Sequence, residues 1–223
     1  MTFDNSIKDF FSIFITPRQT IRRVLSTNSV WNLWAIILSW SILEIAGGLL
    51  SDPSLSTGGD WAYLLGLALS MLVMVGLAAA FFYLNAWLVW GSGKMLSGRA
   101  NFDGVLAAGV WCMAPLVVFA ILKVVLLLPV QGYMPLFGEG AITIGLPLWV
   151  SAIVGILNYG GLAFGVWGLV SFSRSVAEVQ EFKTGVKGFW NVILPWLIIG
   201  LIVFLLAMVV AMAIAALKQN GVL

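Results

Sequence analysis

Five long apolar runs decide what this chain can fold into. They are 31–50, interrupted only by Glu44; 61–90, without a charge; 105–130, with Lys123; 142–172, without a charge; and 192–217, also uncharged. Each meets the roughly 20 mostly apolar residues that a helix needs to cross a bilayer. Over 223 residues only 9% are charged and 61% are hydrophobic, whereas a soluble domain carries about 25% charged residues. The chain is therefore read as an all-α integral membrane protein with five transmembrane helices. The second and fourth runs are about ten residues longer than a span requires, so they must tilt, bend or project beyond the hydrocarbon. Neither splits into two spans, because the halves would be short and would lack turn chemistry between them.

Orientation follows from where the cations sit. The segment before the first span holds Lys8, Arg18, Arg22 and Arg23; the second connection, 91–104, holds Lys94 and Arg99; the fourth, 173–191, holds Arg174, Lys183 and Lys187. These are nine of the eleven basic residues, and the first and third connections have none. The positive-inside rule then places the N-terminus in the cytoplasm and the C-terminus outside. No cleavable signal peptide is expected, since the first apolar run follows a charged amphipathic segment and is long enough to remain in the membrane.

Residues 1–30 form the cytoplasmic N-terminal segment and 31–223 the membrane domain. Within the first, Ile7, Phe10, Phe11, Phe14 and Ile15 recur at helical spacing with Lys8, Asp9 and Ser12 opposite, a stripe suited to lying flat on a bilayer. Thr16 is a good N-cap, Pro17 suits a first helical position, and Gln19 completes a capping box, so a second helix begins there. The expectation is an amphipathic helix pair, with Arg18, Arg22 and Arg23 facing anionic lipid or, together with Lys94 and Arg99, a partner. The second connection is amphipathic around Phe102 and Val105 and is expected to form a small interfacial helix beside this pair.

Inside the spans, Glu44 and Lys123 are the charged residues, both in the outer half of the bilayer. Such charges face protein or water, and a pair across the first and third spans is one arrangement that satisfies both. The alternative is that Lys123 snorkels outward and Glu44 is neutral or reaches the headgroups. Asn85 and Asn158 suit interhelical hydrogen bonds, and Gly161, Gly165 and Gly168 continue from Asn158 as a small-residue stripe, which places the fourth span at the bundle centre or a dimer seam. Pro115, inside the third run, is the expected kink. Trp31, Trp34, Trp61, Trp87, Trp90, Trp167, Trp190 and Trp196 lie near span ends, as belt residues do. Cys112 reads as a small buried residue.

Taken together, Pro17-Arg18-Gln19-Thr20-Ile21 followed by basic residues, Gly93-Lys94 through Gly98-Arg99-Ala100-Asn101-Phe102 leading to Ala114-Pro115, and Trp167 through Ala177-Glu178 to Lys183 resemble the Yip1 domain family over nearly the whole chain. The resemblance implies five spans with a cytoplasmic N-terminus, in agreement with the charge distribution. Eukaryotic members act on vesicle membranes and bind small GTPases through a long cytoplasmic tail and a DLxGP-type motif. This sequence has neither, which aligns it with the short prokaryotic branch and implies a bacterial inner membrane.

The chemistry available narrows the function further. There is no histidine, no carboxylate pair within the spans and no Ser or Cys beside a base, so neither catalysis, a metal nor a cofactor is expected. Glu178 and Glu181 are followed by Lys183 and Lys187, which a solvated charged face accounts for. No nucleic-acid partner is expected. The expected role is a membrane-organising or partner-binding component in contact with anionic lipid, with a membrane-protein partner or a second copy of the chain. The alternative is a small transport or lipid-handling protein built on a polar cavity between Glu44 and Lys123.

Overall fold

The computed structural model describes residues 3–27, 30–51, 61–130 and 147–219. Eight helices account for nearly all of them: α1 (Phe3–Ser12), α2 (Pro17–Thr27), α3 (Val30–Ser51), α4 (Trp61–Met95), α5 (Phe102–Trp111), α6 (Ala114–Leu127), α7 (Leu148–Val179) and α8 (Gly185–Gln219). Five candidate spans result, from α3, α4, α5 with α6, α7 and α8. The helices outrun the apolar runs, since backbone hydrogen bonding continues past the last hydrocarbon-facing residue. Thus α4 continues through Gly91–Met95 and α8 begins at Gly185. The connections after the first and third spans lie largely outside the described residues.

The third span is two helices, with turn geometry at Cys112 and Met113. Pro115 stands in the first turn of α6, where its missing N–H needs no partner and its ring ends the preceding helix. Asn101 caps α5 by accepting from the Gly104 amide at 2.9 Å, and every residue from Gly104 to Trp111 is buried. α5 lies among α2, α3, α4 and α7. The expected interfacial helix around Phe102 and Val105 is therefore overturned: Phe102 opens α5, and Val105 is fully buried. Its small residues (Gly104, Ala107, Ala108, Gly109) let four neighbours approach on all sides, a pattern that periodicity around Phe102 alone does not reveal.

Pro195 stands inside α8 and cannot donate to the carbonyl of Asn191. The Ser92 hydroxyl on α4 fills that gap, 2.9 Å from both the backbone oxygen and the side-chain Oδ1 of Asn191. The Asn191 amide in turn donates to the Val89 carbonyl at 3.2 Å. One turn further, Trp196 donates its indole N–H to Asn85 Oδ1 at 3.0 Å and stacks on Phe81. The helix defect in α8 is thus where α4 binds it. Trp196, one of the tryptophans expected near a span end, is thus also a packing contact between α4 and α8.

α7 packs against α8, α6, α2 and α5, but no residue from Ser151 to Trp167 is buried, so the place at the bundle centre expected for the fourth span holds only for its end, from Gly168 to Ala177. Its crossing with α8 depends on Gly188, where an added Cβ would overlap the Ser173 carbonyl oxygen. Gly161 touches the Phe119 ring, Gly168 faces the Cys112 carbonyl, and Gly160, outside the stripe, fits Phe119 more tightly. Gly165 has open space around it and Asn158 is exposed, so among the described residues neither packs as the stripe predicts.

Candidate functional site: the basic end of the bundle

The helix ends nearest α1 and α2 form a knitted polar layer. Asp9 on α1, nearly buried, pairs with Arg23 on α2 at 3.1 Å, and the Ser12 hydroxyl meets that of Thr20 at 2.7 Å. The Thr16 hydroxyl donates back to the Ser12 carbonyl at 3.3 Å, closing the last turn of α1. Asp9 and Ser12 therefore face α2, not solvent. The apolar stripe divides accordingly. Phe10 and Phe14 pack against the core and Ile13 is fully buried, whereas Phe11, still within α1, and Ile15, past the turn at 13–15 that takes the chain off the helical register, remain outside.

α2 is tied to the bundle. Ile21 and Val24 enter the core, and Arg22 pairs with Glu178 at the end of α7, its Nε donating at 3.0 Å. The ends of α4 and α7 are two copies of one device. At each, a residue with positive φ (Ser97 at 64°, Glu181 at 59°) follows the helix, and the next amide reaches back five residues, from Gly98 to Gly93 and from Phe182 to Ala177, at 2.7 Å in both cases. This is the Schellman closure, usually built on glycine.

The two closures interlock through Gln180. Its side chain, 1% exposed, lies over Gly93 and Gly98, at either of which a Cβ would overlap it; its Oε1 accepts from the Ala100 amide at 3.2 Å and its backbone carbonyl from the Arg99 amide at 3.3 Å. The glycines of this connection make room for a glutamine from another helix, a role that their spacing could not announce. Beside them Arg99 pairs with Glu181 at 3.4 Å. Glu178 and Glu181 are therefore ion-pair partners of Arg22 and Arg99, beyond the solvated face expected of them.

The expected docking residues thus separate. Arg22, Arg23 and Arg99 are paired within the chain, and Lys94 lies over the Trp90 ring. Trp90 itself donates to the Ala100 carbonyl at 3.2 Å. Arg18 instead lines a cleft of about 320 Å³ with Arg174 and Lys183. A second cleft, about 530 Å³, lies beside it and is lined by Arg22, Leu25, Arg99, Asn101, Glu178 and Glu181.

Within the spans, Lys123 on α6 donates to Glu44 on α3 at 3.0 Å, both side chains about a third exposed. Gly47, one turn along α3, leaves room for the lysine stem: a Cβ there would come within 3.0 Å of Lys123 Cε. Among the described residues no group of three or more acidic or cysteine side chains could hold a metal.

Five apolar helices, a discontinuous third span and a polar layer at one end define a polytopic α-helical membrane protein. The family model of the Yip1 domain matches residues 11–208. The chain belongs to the Yip1 domain family. No curated protein and no solved structure matches it.

Proposed function

We propose that this Yip1-type protein is a non-catalytic, membrane-organising or partner-binding component, set in a bacterial inner membrane with the basic end in the cytoplasm. The observation that carries the reading is the attachment of α2. Arg22 and Glu178, with Ile21 and Val24 in the core, hold the helix pair on the bundle and leave Leu25 at the surface beside the second cleft. A surface held in this way needs no ordering when a partner arrives, which lowers the entropic cost of binding. The mixed charges of that cleft suit a protein surface better than a uniform anion. A photoreactive residue at Leu25, irradiated in intact membranes, is expected to yield a discrete protein adduct. Adducts to phospholipid alone would overturn the partner-binding half of the reading.

The Glu44–Lys123 pair supports a second reading, a small transport or lipid-handling protein. An ion pair in the spans whose two side chains are each about a third exposed is a place where a polar group could be taken up. Flux that fails in Glu44→Gln and Lys123→Met, with the protein still folded, would favour this reading over the first.

A further inference from the structure

We infer that the cleft between α2, α7 and α8 binds the phosphate of an anionic phospholipid headgroup, an assignment that rests on the membrane-organising reading and gives it a ligand. Three cations from three separate elements meet there: Arg18 in the first turn of α2, Arg174 near the end of α7 and Lys183 in the turn before α8. Among the described residues no acidic side chain lines the cleft. The nearby Glu178 and Glu181 line the neighbouring cleft and are paired with Arg22 and Arg99. Three like charges gathered without a counter-charge repel one another, and a bound anion relieves that repulsion.

Two further features add to the same potential. Pro17 and Gly185, the first residues of α2 and α8, both line the cleft, so two helix ends present their positive poles to it. The Arg174 stem passes the start of α8 at ordinary contact distance, 3.7 Å from a Cβ built at Gly185 to Arg174 Cγ. Thr16 and Gln19 supply neutral polar groups at the rim.

Depth and surroundings decide between a lipid and a free phosphate. The apolar run of α7 ends at Phe172, so Arg174 stands only about 3 Å further along the helix axis, at headgroup level. Ile15 lines the cleft and is 80% exposed, and Phe11, one turn earlier, is 59% exposed. Val186 and Trp190 on α8 are exposed as well. Cations inside and bare apolar side chains at the edge match an amphiphile that carries acyl chains beside its phosphate. The volume is at the small end of ligand sites, about right for one headgroup.

The test is native mass spectrometry of the full purified chain in detergent, titrated with phosphatidylglycerol, with phosphatidylcholine of the same acyl chains, and with inorganic phosphate. One phosphatidylglycerol per chain is expected, bound at least tenfold more tightly than phosphatidylcholine. That preference should be lost in the Arg174→Gln, Lys183→Gln double variant, kept in Arg174→Lys and unaffected by Arg99→Gln in the neighbouring cleft. If the double variant does not fold, Lys183→Gln alone, at an exposed turn, should still lose about threefold. Equal binding of the two lipids, or a lipid preference that survives these changes, would overturn the site. Inorganic phosphate binding as tightly as the lipid would overturn the lipid as its source. A protein adduct from Leu25 without lipid preference sinks this inference alone, whereas lipid preference without a protein adduct sinks only the partner-binding half of the proposed function.

Discussion

At the basic end of the bundle Asp9, Thr20, Ser92, Gln180 and Asn191 are all buried, and their hydrogen bonds cross between helices or between connections. At the opposite end α8 is exposed at every residue from Leu201 to Met212, and Glu44–Lys123 is the described ion pair that joins two spans. Lipid tails are as apolar as leucine, so burial of apolar area gives little reason for one helix to prefer another inside a membrane. Close backbone contact and polar bonds must set the geometry. This chain concentrates both at one end, which holds the helices in register there and leaves the rest of α8 to lipid or a neighbour.

That contrast can be broken most severely at Gly188. A methyl group there meets the Ser173 carbonyl oxygen and Ala177, backbone as well as side chain, so α7 and α8 must separate. Gly188→Ala is expected to destabilise the chain by about 3 kcal/mol, the upper range for overpacking. Gly165→Ala, in open space on α7, should change stability by less than about 0.5 kcal/mol. Unfolding of both variants in mixed micelles by titration with SDS checks the pair; equal effects would show that the α7–α8 crossing is not a fixed contact.

The opposite end is sharpened by its ion pair. Lys123→Met leaves Glu44 without its partner and is expected to cost about 2 kcal/mol, below the range for a deeply buried pair because both side chains are partly exposed. The double variant Glu44→Gln, Lys123→Met should recover most of that loss, since two neutral groups suit the surroundings. The same SDS titration reports the coupling. Additive losses would mean that the two charges are solvated separately.

How far the sequence foretold this differs between the two ends. The spans were legible because solvation in hydrocarbon imposes a length and a composition that nothing else imitates. The break before Pro115 followed from the same local rule, displaced to Cys112–Met113 because proline disrupts the turn that precedes it. The basic end was legible in its charges but not in their partners. Arg18, Arg22 and Arg23 are neighbours in sequence, yet one opens onto a cleft and the others are tied to Glu178 and Asp9. Gln180 and Asn191 carried no periodic signal at all, since each acts on a helix distant in the chain. Nothing near Gly93 and Gly98 in the sequence says why they must be small, and the glutamine resting on them explains it.

The smallest expected effect tests whether polar bonds at the basic end are geometry or ornament. Ser92 supplies a donor to a carbonyl that Pro195 has left unpaired, so Ser92→Ala removes one hydrogen bond and strands a buried acceptor in α8. The expected cost is about 1 kcal/mol, the usual penalty for such an orphan. Pro195→Ala restores an N–H to the helix and gives the Asn191 carbonyl a partner of its own. In that background Ser92→Ala should cost only a few tenths of a kcal/mol. If Ser92→Ala costs the same with and without Pro195, the hydroxyl is held by Val89 or the Asn191 side chain, and the compensation between α4 and the proline of α8 does not operate. A coupling near the full value instead means that the sequence tolerates a proline in a membrane span because the adjacent helix offers a hydroxyl at the matching height.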